Sequence, residues 1–314
     1  MKYILLFILF LFVLDLKAQH EIATDQNEIF WGLSGPHAIV WETKQETRLP
    51  HRDNIEMSGR KVAAIIHYEV DKDKKVRIER DVIFPQLRTF IGINDPDWMN
   101  YRAYLRKVYT DDVLPVITID DREYLPGAVD SVVINGKLNF YHQAQKGLQL
   151  KRTLLPSMID RMFVEKWAIT NTSDSVRQLS FGNIHSIQSE KGVHGTYTRE
   201  VFHDADDTVT LRPSEVYDFA IYFTARLNDE KESRLSWREV ESERDSFLDT
   251  MKNNLVMNSP DPVLNTLFYF SKIRAAESIY DSKMGLVHSP GGGRYYTGVW
   301  ANDQAEYSGP FFPY

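Results

Sequence analysis

The chain has 314 residues and no cysteine, is 43% hydrophobic and 12% aromatic, and sets 37 Lys and Arg against 44 Asp and Glu for a net charge of −7. That composition allows a sizeable core and argues against a disordered chain. The negative balance, with basic residues scattered, argues against nucleic acid, which needs a basic face, and the lack of cysteine excludes disulfide scaffolding and a lipid anchor on Cys.

Lys2 is followed by an almost wholly apolar run from Tyr3 to Leu14, the next charge is Asp15, and Ala18 precedes polar sequence. This is the layout of a secretory signal peptide over residues 1–19, cut after Ala18 or Gln19. The apolar run falls short of the roughly 20 residues that a spanning helix needs. The expected protein is therefore secreted or periplasmic, with no stable membrane insertion after cleavage. A retained anchor is the alternative.

From about residue 29 to 228 the hydrophobic period is two, as in strands. Lys61 to Val70 is a β-rich run, Asp71 to Lys75 is a charged turn, and Val76, Ile78 and Val82 to Phe84 form the return strand. Pro96 to Lys107 reads as a helical or irregular insertion, and Val113 to Ile119 as a strand. Val132–Ile134 and Leu138–Tyr141 flank Asn135-Gly136, a strong hairpin signal. Further strands are expected over 148–155, 162–170, 177–181, 196–202, 208–211 and 216–227. Many short-spaced strands with few helices make a large β-sandwich over residues 20–235. Met57 to Arg60 reads as a turn.

The pattern changes near Leu235. Trp237 to Asn254 is charged and free of proline, with Val240, Phe247, Leu248 and Met251 apolar, and reads as a helix in a linker over 236–258. Asp261 before Pro262 is an N-cap followed by proline at the first helical position. A second helix is expected over Pro262–Asp281, with Gly285 past its end as a stop signal. Its start is apolar on more than one face, which predicts burial between neighbouring helices.

The last thirty residues carry Pro290, then Gly291 to Gly293, then Tyr295, Tyr296, Trp300, Asn302, Asp303 and Glu306. A sugar stacks its C–H face on aromatic rings and needs charged or amide partners for its hydroxyls. Trp300, Asn302, Asp303, Glu306 and Tyr296 are therefore the candidate substrate-binding residues. The glycines let backbone approach a ligand closely; they lack the Lys-Ser/Thr of a phosphate loop. The chain stops at Tyr314 within this pattern, and we expect it to be the N-terminal part of a larger enzyme.

This order of a long sandwich, linker helix, buried helix and aromatic Gly-rich loop resembles the six-hairpin glycosidases. These are the glucoamylase-like hydrolases and related disaccharide phosphorylases. The leader and the style of Gly285–Tyr314 look like those of secreted polysaccharide-degrading proteins of Bacteroidetes. The resemblance implies a supersandwich joined by linker helices to an (α/α)6 barrel whose first portion is residues 259–314. It also implies a Trp-x-Arg-Asp loop in which Trp300 matches the Trp and Asp303 the hydroxyl-binding Asp. Asn302 stands where those relatives have Arg, so the sugar read can differ. Glycoside hydrolysis needs two carboxylates, which the resemblance puts beyond Tyr314, with inversion through an activated water. Hydrolase and phosphorylase remain alternatives, as do the sugar and the linkage.

Asp303 and Glu306 would share a helix face, but substrate contact fits them better than an acid–base pair. His185, His194 and His203 recur without metal spacing, and Asp204 to Asp207 lacks the pattern of a calcium loop. No cofactor or metal is implied, and the partner is a carbohydrate substrate. The rival readings are a non-catalytic carbohydrate-binding sandwich and a cell-surface structural protein. A row of exposed aromatics on one sheet face would favour the former.

Overall fold

A computed structural model describes residues 31–43, 49–88, 104–192, 194–282, 285–289 and 302. The chain divides into residues 1–32 and residues 33–314, and the architecture below is that of the second unit. The signal peptide expected over residues 1–19 lies outside the described residues.

The large sheet has the strand order β1-β2-β9-β10-β11-β12-β17-β15-β14. Its strands are β1 (Gly32–Leu33), β2 (Ile39–Glu42), β9 (Val129–Ile134), β10 (Leu138–His142), β11 (Leu148–Pro156), β12 (Met162–Asn171), β14 (His185–Gly192), β15 (Gly195–His203) and β17 (Val216–Leu227). A four-stranded sheet runs β3 (His51–Ser58), β4 (Ala63–Val70), β5 (Val76–Arg88), β6 (Tyr104–Tyr109). A smaller one has the order β16-β13-β7-β8, from β7 (Ile117–Ile119), β8 (Arg122–Tyr124), β13 (Arg177–Phe181) and β16 (Thr208–Leu211). The strand pairs are antiparallel, so the chain is mainly β followed by helices, as its hydrophobic period requires.

Alternation along β12 and β17 gives the large sheet two buried faces. On one face, Phe140 meets Tyr68 edge-on at 5.3 Å, Phe223 meets Tyr109 at 5.0 Å, and Phe219 meets Phe181 at 5.0 Å. Those contacts pack both smaller sheets onto it as a sandwich. The opposite face carries Leu155, Met162, Val164, Ala220 and Tyr222, covered by Trp237 and Val240. These two belong to α1 (Trp237–Asn253), which is fixed by a capping box: Ser236 accepts from the Glu239 amide, and Glu239 accepts from the Ser236 amide. Glu241 of α1 also reaches Lys137 and Lys166 at 3.0 Å each.

At the sandwich centre Arg80 and Glu165 are fully buried. Glu165 accepts from Arg80 Nε at 2.6 Å, Arg152 Nε at 2.7 Å and Trp167 Nε1 at 2.9 Å. Arg80 turns its other nitrogens to Asp111 Oδ1, at 3.1 Å each. Burial alone would raise the Glu165 pKa, but Arg152 and Arg80 outweigh it and hold the group at about 2.

Several expectations need correction. Residues 111–113 form a 3-10 turn, and only Ile117–Ile119 of the expected 113–119 strand pairs. Pro115 lies between them and lacks the amide a ladder needs. Tyr104 to Lys107 belong to β6, not to an insertion, while 96–103 lie outside the described residues. Met57 and Ser58 end β3, so the turn runs from Gly59 to Val62, where the Gly59 amide donates to the Val62 carbonyl at 2.9 Å. A Cβ on Gly59 would sit 1.8 Å from the Ser157 carbonyl oxygen, so only glycine fits there.

Candidate functional site

Of the five residues expected to bind sugar, Tyr296, Trp300, Asp303 and Glu306 lie outside the described residues. Asn302 is helical and exposed. The described residues before it form the framework from which that segment leaves.

The second helix, α2, is Pro262–Glu277, four residues shorter at its C-terminus than expected. Asp261 caps it by accepting from the Val263 amide at 2.8 Å. Its end is set by tertiary packing. Ile279–Ser282 leaves the helix as β18 and pairs with β19 (Gly285–His288), because Tyr280 is buried against Ala63, Ile65, Ile83 and Tyr104. The Tyr280 hydroxyl lies 3.2 Å from Ser58 Oγ, and the Asp281 amide donates to the Arg60 carbonyl at 2.9 Å. The Ser289 amide donates to the Ser278 carbonyl at 2.7 Å. The aromatic segment therefore starts from a root fixed at both helix end and sheet. Gly285 stops no helix; it adopts a φ of +98° within this hairpin.

Beside the root, fully buried Arg244 of α1 donates to the Gly136 carbonyl at 2.6 and 3.0 Å and pairs with Glu277 of α2. Arg274 pairs with the other Glu277 oxygen and donates to the Glu56 carbonyl. One carboxylate thus joins both helices, while Arg244 joins them to the Asn135-Gly136 hairpin. Lys272 closes the far end of α1 by donating to the carbonyls of Met251, Asn254 and Leu255. A cation suits that negative helix end.

The inward stripe of α2 is Thr266, Tyr269, Ile273 and Glu277. Its first turns face outward: Val263, Leu264 and Leu267 are 57%, 45% and 58% exposed, beside exposed Val256 and Met257. Among the described residues no neighbouring helix covers this start. Other apolar positions on the helix make its contact with the body.

Two open depressions mark the sandwich. The larger, about 810 Å³, is lined by the outward Arg52, Asn54, His67, Glu69, Arg77 and Glu79 of β3-β4-β5 and also by Asp53, Tyr68, Ile78, Thr110 and Asp111. Opposite charges pair across it, as Arg52 does with Glu69 at 2.8 Å, which is how a solvated sheet face looks. The second, about 510 Å³, runs between β14-β15 and the segment entering α1, and includes His185, Glu200, Phe202, Asp204, Tyr222 and Glu232. Register explains the cluster: His185, Phe202 and Tyr222 are directly opposite one another across three strands. Phe202 lies flat on Tyr222, ring centres 4.8 Å apart and planes within 12°. His185 Nε2 is 2.6 Å from one Glu200 oxygen, and Arg226 donates to the other at 3.0 Å. Asp204 accepts from the Ala220 amide at 2.7 Å and the Tyr222 hydroxyl at 2.6 Å. Burial first, then Asp204, pushes the Tyr222 phenol up, so it stays a donor.

No family model and no curated protein matches the chain. Among solved structures, one described as a kojibiose phosphorylase from human microbiome is similar at 10% identity and a TM-score of 0.45, over 80% of this chain and 40% of its own. A polysaccharide lyase is similar at 10% identity and a TM-score of 0.26, over 57% of this chain and 33% of its own. The chain thus spans 40% and 33% of the length of these two structures.

The histidines singled out in the sequence take separate positions. His185 is in β14 facing Glu200, His203 ends β15, bonded to the Gly182 carbonyl at 3.0 Å, and His194 is in the turn between those strands. Among the described residues no group of three or more His, Asp or Glu could hold a metal, and no helix is long and apolar enough to cross a membrane. The groove residues were not singled out from the sequence as a site. Their signal was alternation on three strands whose pairing the sequence does not state.

Proposed function

We propose that the chain belongs to a carbohydrate-active enzyme of the glycoside hydrolase class, in which the aromatic segment after Ser289 faces the sugar. The observation that carries the reading is the rooted start of that segment. A β-sandwich supports a capped helix, and that helix is locked by Arg244 and Glu277 to α2. The hairpin after α2 then holds Ser289 in place. Sugar recognition needs rings and hydroxyl partners held in fixed geometry, and such a root suits it. The exposed Val263, Leu264 and Leu267 agree with a helix that takes further helices against its outer side, as the start of an (α/α)6 barrel would.

In this reading Trp300 stacks on the sugar ring, Asp303 and Asn302 take its hydroxyls, and Tyr296 and Glu306 border the pocket. Asp303 binds and orients; it does not transfer the proton. Domain boundaries near 235 and 258 follow, with α1 as linker. Export through the 1–19 leader belongs to the same reading, and mass spectrometry of the exported protein checks it by finding a start near Gln19 or His20. The test of the pocket is Trp300→Ala, with binding of oligosaccharides followed calorimetrically. Loss of binding with an unchanged melting temperature supports the assignment. Unchanged affinity for every sugar the parent binds overturns it.

A further inference from the structure

We propose that the groove between β14-β15 and the segment entering α1 is a second saccharide-binding surface, separate from the aromatic segment. The proposal rests on the reading that the protein handles carbohydrate, and deepens it by placing a subsite on the sandwich.

The groove has the two ingredients of sugar recognition. Its apolar element is Phe202, half-buried and backed by Tyr222 in a parallel stack, so the ring is held rigidly. Ile184 and Leu235 add apolar surface to the same groove. Its polar element is a set of groups already oriented by the framework. Both Glu200 oxygens are held, one by His185 and one by Arg226, and Arg226 passes on to Glu232 at 3.2 Å. Asp204 is fixed by a backbone amide and by the Tyr222 hydroxyl. A carboxylate oxygen accepts more than one hydrogen bond, so capacity remains on each for a hydroxyl donor. Charge-assisted bonds of this kind are the strong ones in sugar binding.

Charge selects the ligand class. Histidine and arginine alternate with carboxylates along His185–Glu200–Arg226–Glu232, and Asp204 and Arg234 border the same groove. An anion would meet Glu200, Asp204 and Glu232, and a cation would meet Arg226 and Arg234. A neutral, hydroxyl-rich ligand meets donors and acceptors alike. At about 510 Å³ the groove is of small-ligand size. It lies along β14, the last strand of its sheet, so an oligosaccharide chain can run through it.

The experiment is calorimetric titration of the chain with maltohexaose, cellohexaose, laminarihexaose, xylohexaose and mannohexaose. Three groove variants are compared with Trp300→Ala. Phe202→Leu keeps apolar volume but removes the flat face. Asp204→Asn keeps an acceptor for Tyr222. His185→Ala alters a half-exposed side chain and keeps the fold testable should either other variant unfold. We expect at least one hexasaccharide to bind, and each groove variant to weaken it about tenfold, the size of one lost charge-assisted bond. Trp300→Ala should leave that component in place. Binding by none of the five sugars overturns the groove assignment. So does affinity unchanged in all folded groove variants. Loss confined to Trp300→Ala overturns the groove alone and leaves the aromatic segment as the sugar site.

Discussion

Replacing Glu165 by Gln removes the fully buried charge at the centre of the sandwich and leaves Arg80 and Arg152 with only the partly exposed Asp111 as counter-ion. Both guanidinium groups are almost wholly inaccessible, at 0% and 2% exposure, so water cannot replace the carboxylate. Breaking a buried pair from one side costs about 3–5 kcal/mol, and far more than the pair's net worth against an apolar replacement. A second route gives a similar figure. The Glu165 carboxyl is held at about 2, against an ordinary 4.5. A difference of that size corresponds to about 3 kcal/mol at neutral pH. The sign follows from the depressed value: this stability is present above pH 4.5 and is lost as pH falls towards 2. Urea unfolding at pH 7 should therefore place Glu165→Gln about 3–5 kcal/mol below the parent. Between pH 5 and 2 the parent should lose stability more steeply than the variant, which no longer has this group to protonate. A loss under about 1 kcal/mol at pH 7, the scale of a surface pair, with parallel acid limbs, would refute the reasoning.

Three further outcomes concern the framework under the aromatic segment. Arg244→Met should cost about 1–3 kcal/mol by taking one of the two arginine partners from buried Glu277 and the donor from the Gly136 carbonyl, and hydrogen exchange should show α2 and the 279–288 hairpin opening before the sandwich. Lys272→Met should cost about 1–3 kcal/mol by removing the donor shared by the Met251, Asn254 and Leu255 carbonyls, read as a lower urea midpoint with an unchanged slope. Gly136→Ala should cost about 1–3 kcal/mol. Its φ is +88°, and a Cβ there would meet Leu248 Cδ2 at 2.3 Å, so the melting temperature should fall while the hairpin amides lose protection.

Much of the β architecture was legible because local and tertiary signals agree. Asn135-Gly136 gives a tight hairpin, and its turn glycine has the positive φ that the dipeptide favours. The strands at 177–181, 208–211 and 216–227 have the expected limits. Asp261-Pro262 marks the start of α2. Strand β14 was missed because seven of its eight residues are exposed, leaving no apolar alternation to read. The overrun of α2 has the opposite cause. Ile279 and Tyr280 continue a helix-compatible apolar pattern, but Tyr280 is captured by the four-stranded sheet. Arg80 and Glu165 look like solvent-facing strand charges until the two sheets are packed together. The candidate residues Tyr296, Trp300, Asp303 and Glu306 were legible only as chemistry; their fixed root at Ser278–Ser289 depends on contacts distant in sequence, such as Ser58 with Tyr280, 222 residues apart.

The central claim is that the segment after Ser289 holds a sugar and that Asp303 binds it without transferring a proton. The most direct measurement is kcat/KM for a glycoside substrate across pH, in the protein as its gene encodes it, with Asp303→Asn beside the parent. A lost charge-assisted hydrogen bond of about 1.5–3 kcal/mol lowers kcat/KM by about one to two powers of ten, and both limbs of the profile should remain. Disappearance of one limb, or rescue by a substrate with a very good leaving group, would make Asp303 an acid or base. Unchanged activity and profile would place it outside the pocket and contradict the account.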